Sequence, residues 1–379
     1  MRGAGAGSGM PGRIGASLGP GVWGPLRFMG KAAASQLRRY PSELARALRA
    51  EGQGGEGEAG SLAVAAAAEP LAARWARAQA KEHANVNAGA GAGAGARGSP
   101  LVSWLGHAGV LLRLAGGKTV VCDPVLSERI GLRVGVGARG RVLGPRRLVA
   151  APVGAEGLPQ VDVVVITHAH FDHLDKPTLR LLARVSPGAV VVVPRGARGL
   201  IPSGFAGVVE VGWEEQVSVA GVRVLALRPA HWGARMVWDR HRGFNSYVVR
   251  DEAGEGGDGG GGGGVLLAGD SAETGVFDGL AQRVGPVELA VLGIGAYDPW
   301  VHHHATPEQA WGMFERSGAA LMLPVHHGTF QLGDEPSGEP LARLLAAAGA
   351  AGEGRLLVAG AGEVLVLDGV DGRATVKRV

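Results

Sequence analysis

The feature that most constrains this chain is a largely apolar run, Val161–Thr167, that passes directly into His168-Ala169-His170-Phe171-Asp172-His173-Leu174-Asp175. A short apolar run bounded by turn formers reads as a strand buried on both faces, the kind found inside helix-covered sheets. Three histidines and two aspartates follow within eight residues, in a chain of 379 residues that holds only 12 histidines. A strand end opening into a loop can turn His168 and His170 towards one point and Asp172 and His173 towards a neighbouring one. That arrangement suits two adjacent cations with imidazole and carboxylate ligands.

Such a site needs further ligands at fixed places, and strand ends supply them. His231 follows Leu225-Ala226-Leu227-Arg228-Pro229-Ala230, Asp270 follows Val265-Leu266-Leu267-Ala268-Gly269, and His326 follows Leu321-Met322-Leu323-Pro324-Val325. Each alone is an ordinary strand-end residue; the same placement three times beside the histidine loop defines a site. The single cysteine, Cys122, excludes an intramolecular disulfide and a cysteine-ligated metal. Zinc suits these nitrogen and oxygen donors, as do iron and manganese. Two cations about 3.5–4 Å apart can share a water and bring its pKa towards ~7, for attack on phosphorus or on a carbonyl carbon.

From Leu101 onwards short Val/Leu strands alternate with helical segments. Expected strands are 101–105, 110–114, 119–122, 190–193, 247–250, 265–268, 321–325, 356–358 and 364–367. A hairpin is expected to pair 217–219 with 222–227 across Ala220-Gly221. Helices are expected at 177–186, from Thr306-Pro307-Glu308-Gln309 to about Ser317, and at 340–348. The pattern is α/β, mixed sheets covered by helices, over a domain at 99–379. The nearly pure glycine stretch 254–264 reads as a solvent loop between two strands.

Residues 1–98 are biased throughout, with Gly/Ala tracts and a GAGAGAGA stretch after Asn87, and read as a largely disordered extension. Segments 36–50 and 70–82 are its two amphipathic helices. The first 42 residues carry six basic groups and no acid, a pattern shared by organellar presequences and by bacterial tails. No run approaches the roughly 20 apolar residues of a membrane span. With 38 Lys+Arg against 34 Asp+Glu and only five lysines, nothing marks a nucleic-acid partner. The expected location is the cytoplasm or a membrane periphery.

At this point the chain resembles the metallo-β-lactamase superfamily, and within it the branch of N-acyl-phosphatidylethanolamine-hydrolysing phospholipase D and its bacterial relatives. The general element is His-x-His-x-Asp-His at 168–173. The branch-level elements are Trp104-Leu105-Gly106-His107-Ala108, Cys122-Asp123-Pro124, Trp213-Glu214-Glu215, Pro229-Ala230-His231-Trp232, Ala268-Gly269-Asp270, Gly293-Ile294-Gly295-Ala296-Tyr297 and His326-His327-Gly328-Thr329-Phe330-Gln331-Leu332. The resemblance implies a four-layer αββα sandwich with two zinc ions at one edge. His168, His170 and His231 would hold one ion, Asp172, His173 and His326 the other, and Asp270 would bridge them. Asp172 and His304 are the implied catalytic residues, His304 standing where the phospholipase has a histidine near the reacting phosphate. Phe171 and His327 replace Tyr and Trp of the phospholipase and alter the apolar lining without touching a ligand.

The reading that follows is a dinuclear-zinc phosphodiesterase acting on a phospholipid or a small molecule, with peripheral membrane contact. A lactonase or phosphorylated-sugar hydrolase of the same superfamily is the rival enzyme; a non-catalytic metal-binding protein is the rival class. Four residues carry further expectations. Asp175 either supports a ligand histidine or caps the helix at Pro177, His107 lies under the site or at the substrate, and His302 and His303 are solvated.

Overall fold

The computed structural model describes residues 69–88, 98–135, 141–154, 157–236, 238–252, 263–370 and 373–378. The expected helix at 36–50 and the glycine loop lie almost entirely outside them. The strands are β1 (Leu101–Gly106), β2 (Gly109–Arg113), β3 (Thr119–Cys122), β4 (Leu132–Val134), β5 (Arg141–Leu143), β6 (Val163–Val165), β7 (Val190–Pro194), β8 (Gly207–Val211), β9 (Gln216–Val219), β10 (Val222–Leu227), β11 (Ser246–Asp251), β12 (Gly264–Leu267), β13 (Val287–Gly293), β14 (Leu321–Val325), β15 (Val364–Val370) and β16 (Arg373–Arg378). The α-helices are α1 (Leu71–Ala88), α2 (Lys176–Val185), α3 (Leu280–Val284), α4 (Pro307–Ser317) and α5 (Glu339–Ala348).

One sheet has the order β16-β15-β1-β2-β3-β6-β7-β8 and the second β14-β13-β12-β11-β10-β9, with β4-β5 a separate hairpin. Period-2 alternation in the strands explains why there are four layers. Val102, Val110, Leu112, Val163 and Val165 of the first sheet meet Val224, Val249, Val265, Leu289 and Leu323 of the second in a shared core. Their neighbours along the chain face outwards. Leu101, Leu111, Val164 and Ile166 pack under α1 and α2 through Leu71, Trp75, Leu179 and Leu182. On the far side Val248, Leu266, Ala290 and Met322 pack under α4 and α5 through Trp311, Phe314 and Leu344. The αββα sandwich expected from the resemblance is therefore present, with β6 buried on both faces as its composition predicts.

Helix starts follow their caps. Asp175 accepts from the Thr178 N–H and opens α2, and Thr306 with Gln309 forms a reciprocal capping box on α4. The hairpin forms in the expected register, Val219 opposite Val222.

Two boundaries differ. The compact unit runs Ala67–Val379 rather than from 99, because the helix expected at 70–82 is α1 and buries Leu71, Trp75 and Ala78 against the first sheet. Truncating a fully buried side chain such as Trp75 typically costs about 3–5 kcal/mol, so this helix is part of the fold. The expected strand 356–358 makes only a single bridge, Met322 to Leu356. Met322 exchanges both hydrogen bonds with Arg355 and Leu357, but the next donor on β14 would be Pro324, which has no N–H.

Candidate metal centre

The strands place the chemistry at one edge. β6 ends at Val165 and leads into His168 and the donor loop, β10 leads into His231, β12 into Asp270 and β14 into His326, so all seven expected donors lie beyond the carboxyl ends of strands. β10, β12 and β14 run parallel to one another, since β10 and β12 both oppose β11 and β14 follows β12 through β13. Gly269 makes Asp270 reachable: its φ is +60°, and a Cβ there would lie 2.8 Å from Thr167 Cβ.

The donors fall into two overlapping groups. In the first, His168 Nε2 lies 2.8 Å from His170 Nδ1, and His170 Nδ1 lies 3.4 Å from His231 Nε2. Asp270 Oδ2 is 3.7 Å from His168 Nε2 and 3.8 Å from His231 Nε2. In the second, Asp172 Oδ2 is 3.5 Å from His173 Nε2 and 3.3 Å from His326 Nε2. His326 Nε2 is also 3.3 Å from Asp270 Oδ1, and His173 Nε2 is 3.1 Å from Asp270 Oδ2. Asp270 thus touches both groups. Despite these approaches neither oxygen of Asp270 accepts a hydrogen bond, and His173 Nε2 is likewise buried without a partner. A buried carboxylate with unused lone pairs facing imidazole nitrogens is what a cation resolves, so the donor set fits metal ions.

The outer nitrogens are held from behind. His173 Nδ1–H donates to Asp123 Oδ2 at 2.7 Å and His231 Nδ1–H to the His303 carbonyl at 2.9 Å, which leaves Nε2 of each facing the cluster. Asp123 also accepts from the Thr167 N–H at 2.8 Å and from its hydroxyl at 2.5 Å. The cradle is strained: His107, Asp123 and His326 all have positive φ, a conformation that costs a non-glycine residue about 1–3 kcal/mol.

Asp175 is the α2 cap and accepts from Ser127 and Thr178 hydroxyls, so the carboxylate behind a ligand histidine is Asp123 instead. His107 is at the site: its Nε2–H donates to Asp172 Oδ2 at 2.9 Å and its Nδ1 has no partner. Of the two histidines expected to be solvated, His302 is exposed, whereas His303 is partly buried and anchors His231 through its carbonyl. His304 Nδ1 lies 3.8 Å from Asp270 Oδ2, and its ring is 5.2 Å from that of His326.

Electrostatics separate the groups. Burial, with the neighbouring histidines, pushes His168 and His231 well below the usual imidazole value, and burial brings His170 to about 4. Burial alone would lower His173 and His326 as well. Asp270 and Asp172 overcome it, holding His173 well above the ordinary value and raising His326 to about 9. Burial would raise both aspartates, yet His173 above all keeps them well below the carboxylate range. Burial holds His304 down to about 3, so it is a neutral imidazole at pH 7.

A four-layer αββα sandwich with clustered His and Asp donors at one edge of its sheets is the metallo-β-lactamase type of fold. Residues 118–327 match the family model described as the Beta-lactamase superfamily domain, and the chain belongs to that family. It is 34% identical over 254 residues to an uncharacterized protein of Mycobacterium tuberculosis, covering 65% of this chain and 63% of that one. It is 29% identical over 246 residues to the N-acyl-phosphatidylethanolamine-hydrolyzing phospholipase D 1 of Caenorhabditis elegans, covering 61% and 64% respectively. The chain therefore spans somewhat less than two thirds of the length of these relatives. Among solved structures, the isothiocyanate hydrolase from Delia radicum gut bacteria superposes with a TM-score of 0.51 at 22% identity, over 70% of this chain and 98% of that one, a likeness of fold.

Proposed function

We propose that this protein is a metal-dependent hydrolase of phosphoric diesters, with phospholipids of the N-acyl-phosphatidylethanolamine kind as its substrate class. The observation that carries the metal assignment is Asp270, a buried carboxylate shared by two donor groups with neither oxygen hydrogen-bonded. His168, His170 and His231 would hold one ion, Asp172, His173 and His326 the second, and Asp270 both. Zinc is the favoured metal for such donors. A cation pair there supplies Lewis acidity and an acidified water. The diester assignment is supported by the Caenorhabditis elegans relative and by a Saccharomyces cerevisiae mitochondrial phospholipase D of the same description, 27% identical over 253 residues.

The chain's own residues divide the remaining work. Asp123 and the His303 carbonyl orient His173 and His231, and His107 holds Asp172. His304, neutral at pH 7, enters as a hydrogen-bond partner for a substrate oxygen. Burial disfavours an imidazolium at this position, so His304 offers a neutral N–H. No helix among the described residues is long and apolar enough to cross a membrane, so a lipid substrate would be met at a surface.

The test is metal analysis of the purified full chain combined with a panel of bis(4-nitrophenyl) phosphate, N-acyl-phosphatidylethanolamine in mixed micelles, a γ-lactone and a thioester. Diester hydrolysis that chelation abolishes and zinc restores is expected. A lactone or thioester turned over faster than every diester would replace the substrate assignment, and activity in metal-free protein would overturn the whole reading.

A further inference from the structure

Beside the metal centre lies a cavity of about 660 Å³ whose walls come from the β4–β5 hairpin, the start of α2 and the two loops that carry the metal donors. Phe171, between His170 and Asp172, contributes from the first loop, and Arg235 and Met236 contribute from the loop that begins at His231. The volume is that of a small-molecule site. Its lining has two chemistries. Ile130, Leu132, Val142, Phe171 and Met236 are apolar, and five cationic side chains, Arg129, Arg133, Lys176, Arg180 and Arg235, share the lining with them.

Part of that charge is balanced from within, since Asp175, Asp172 and Asp239 all act on Arg235. The two carboxylates in the lining are already engaged, Glu128 with Arg146 and Asp175 with the Ser127 and Thr178 hydroxyls. Arg235 is fixed in place, its Nη1 donating to the Ala169 and Leu174 carbonyls and its guanidinium 3.9 Å above the Phe171 ring. Lys176 and Arg180 stand one turn apart on α2, where like charges oppose helix formation, and neither has a carboxylate partner among the described residues. Burial lowers Lys176, and its charged neighbours Arg235, Arg180 and Arg242 lower it further, although Arg242 is itself paired with Asp239. A fold that assembles such a group around an apolar pocket leaves both surfaces to a ligand that is anionic at one end and apolar at the other.

We infer that this cavity is a subsite for an amphiphile bearing a phosphate group, with Lys176, Arg180 and Arg235 on the phosphate and Phe171, Ile130 and Leu132 against the alkyl portion. Arginine forks and a lysine point charge are the side chains that recognise phosphate. The assignment deepens the phosphodiester reading and rests on it for the link to catalysis, but binding at the cavity is measurable without turnover.

The experiment is calorimetric titration of the metal-loaded full chain with three probes below their micellar concentrations: n-octyl phosphate, inorganic phosphate and n-octyl glucoside. The wild type should bind n-octyl phosphate at least about tenfold more tightly than either other probe, since a charge-assisted contact and an apolar contact act together. In Lys176→Gln/Arg180→Gln that advantage should fall by about tenfold or more, with metal content and Tm at wild-type values. Equal affinity of wild type and double variant would overturn the subsite, placing the phosphate on the metals instead. Inorganic phosphate binding as tightly as n-octyl phosphate would overturn the amphiphile assignment. As a second variant, Leu132→Ser, on the exposed hairpin, should weaken n-octyl phosphate and leave inorganic phosphate unchanged; loss of both in equal measure would count against the apolar wall. Octyl phosphate bound as expected by a protein that hydrolyses no diester would sink the reaction and keep the subsite.

Discussion

The two halves of the metal centre use similar residues under opposite electrostatics. In the His168–His170–His231 half, three imidazoles crowd together and burial keeps them neutral, with lone pairs ready for a cation. In the Asp172–His173–His326 half, two carboxylates surround two imidazoles and hold protons on them, His326 up to about 9. The difference teaches that metal and proton compete in one half and hardly in the other. Asp270, within 3.8 Å of histidines in both halves, couples them.

The largest expected effect breaks the comparison altogether. Asp270→Ala removes the shared ligand and should lose both ions with no measurable turnover, whereas His326→Ala should keep one. Elemental analysis of the two variants checks this, and equal metal retention would refute the bridging assignment.

The next prediction sharpens it. A group whose folded pKa is raised stays protonated through neutrality, so filling the second half must expel protons. Its affinity should rise with pH from 6 to 9, by up to about tenfold per unit for each proton released. The first half, whose histidines are pushed well below the usual imidazole value by burial, His170 to about 4, should bind with affinity nearly flat over that range. Competition with a chelator at fixed pH reads both affinities. A second ion whose affinity ignores pH would count against the carboxylate-raised imidazoles.

A smaller effect is expected behind His173. Asp123→Asn removes the carboxylate at 2.7 Å that orients the ring and should weaken the second ion about 10–100-fold while sparing the first. Equal weakening of both would mean that Asp123 supports the fold rather than one half. The smallest effect on metal is at His304. His304→Ala should keep both ions yet lose rate, about 10²-fold on an alkyl phosphodiester and less on a nitrophenyl one, whose leaving group needs little help. Similar losses on the two substrates would make His304 a residue that positions substrate.

Much of this was legible in the sequence because strand ends are marked twice, by the apolar run before them and by a polar residue after. His168, His231, Asp270 and His326 were found that way, and the structure brings them together. Cys122-Asp123-Pro124 stands among the branch-level elements, but nothing local to it gives Asp123 a role. The signal was the pairing of β3 with β6, Cys122 beside Val165, which carries Asp123 to Thr167. The place of His107 depends on Thr329, which accepts its backbone N–H from 222 positions away, a contact that no local pattern records. Helix α1 was hidden differently. Its amphipathic pattern was visible, but the surrounding Gly/Ala bias masked the fact that Trp75 is fully buried. At the other end of the chain, one missing N–H at Pro324 ended a strand that composition alone would have continued.

The most direct test of two unlike halves joined by one carboxylate is native mass spectrometry of the metal-free full chain titrated with zinc, alongside His231→Ala and His326→Ala. The account expects two ions on the wild type and one on each variant, with the ion kept by His231→Ala being the one lost first as pH falls from 9 to 6. A wild type that saturates at one ion, or single variants that bind none, would contradict it.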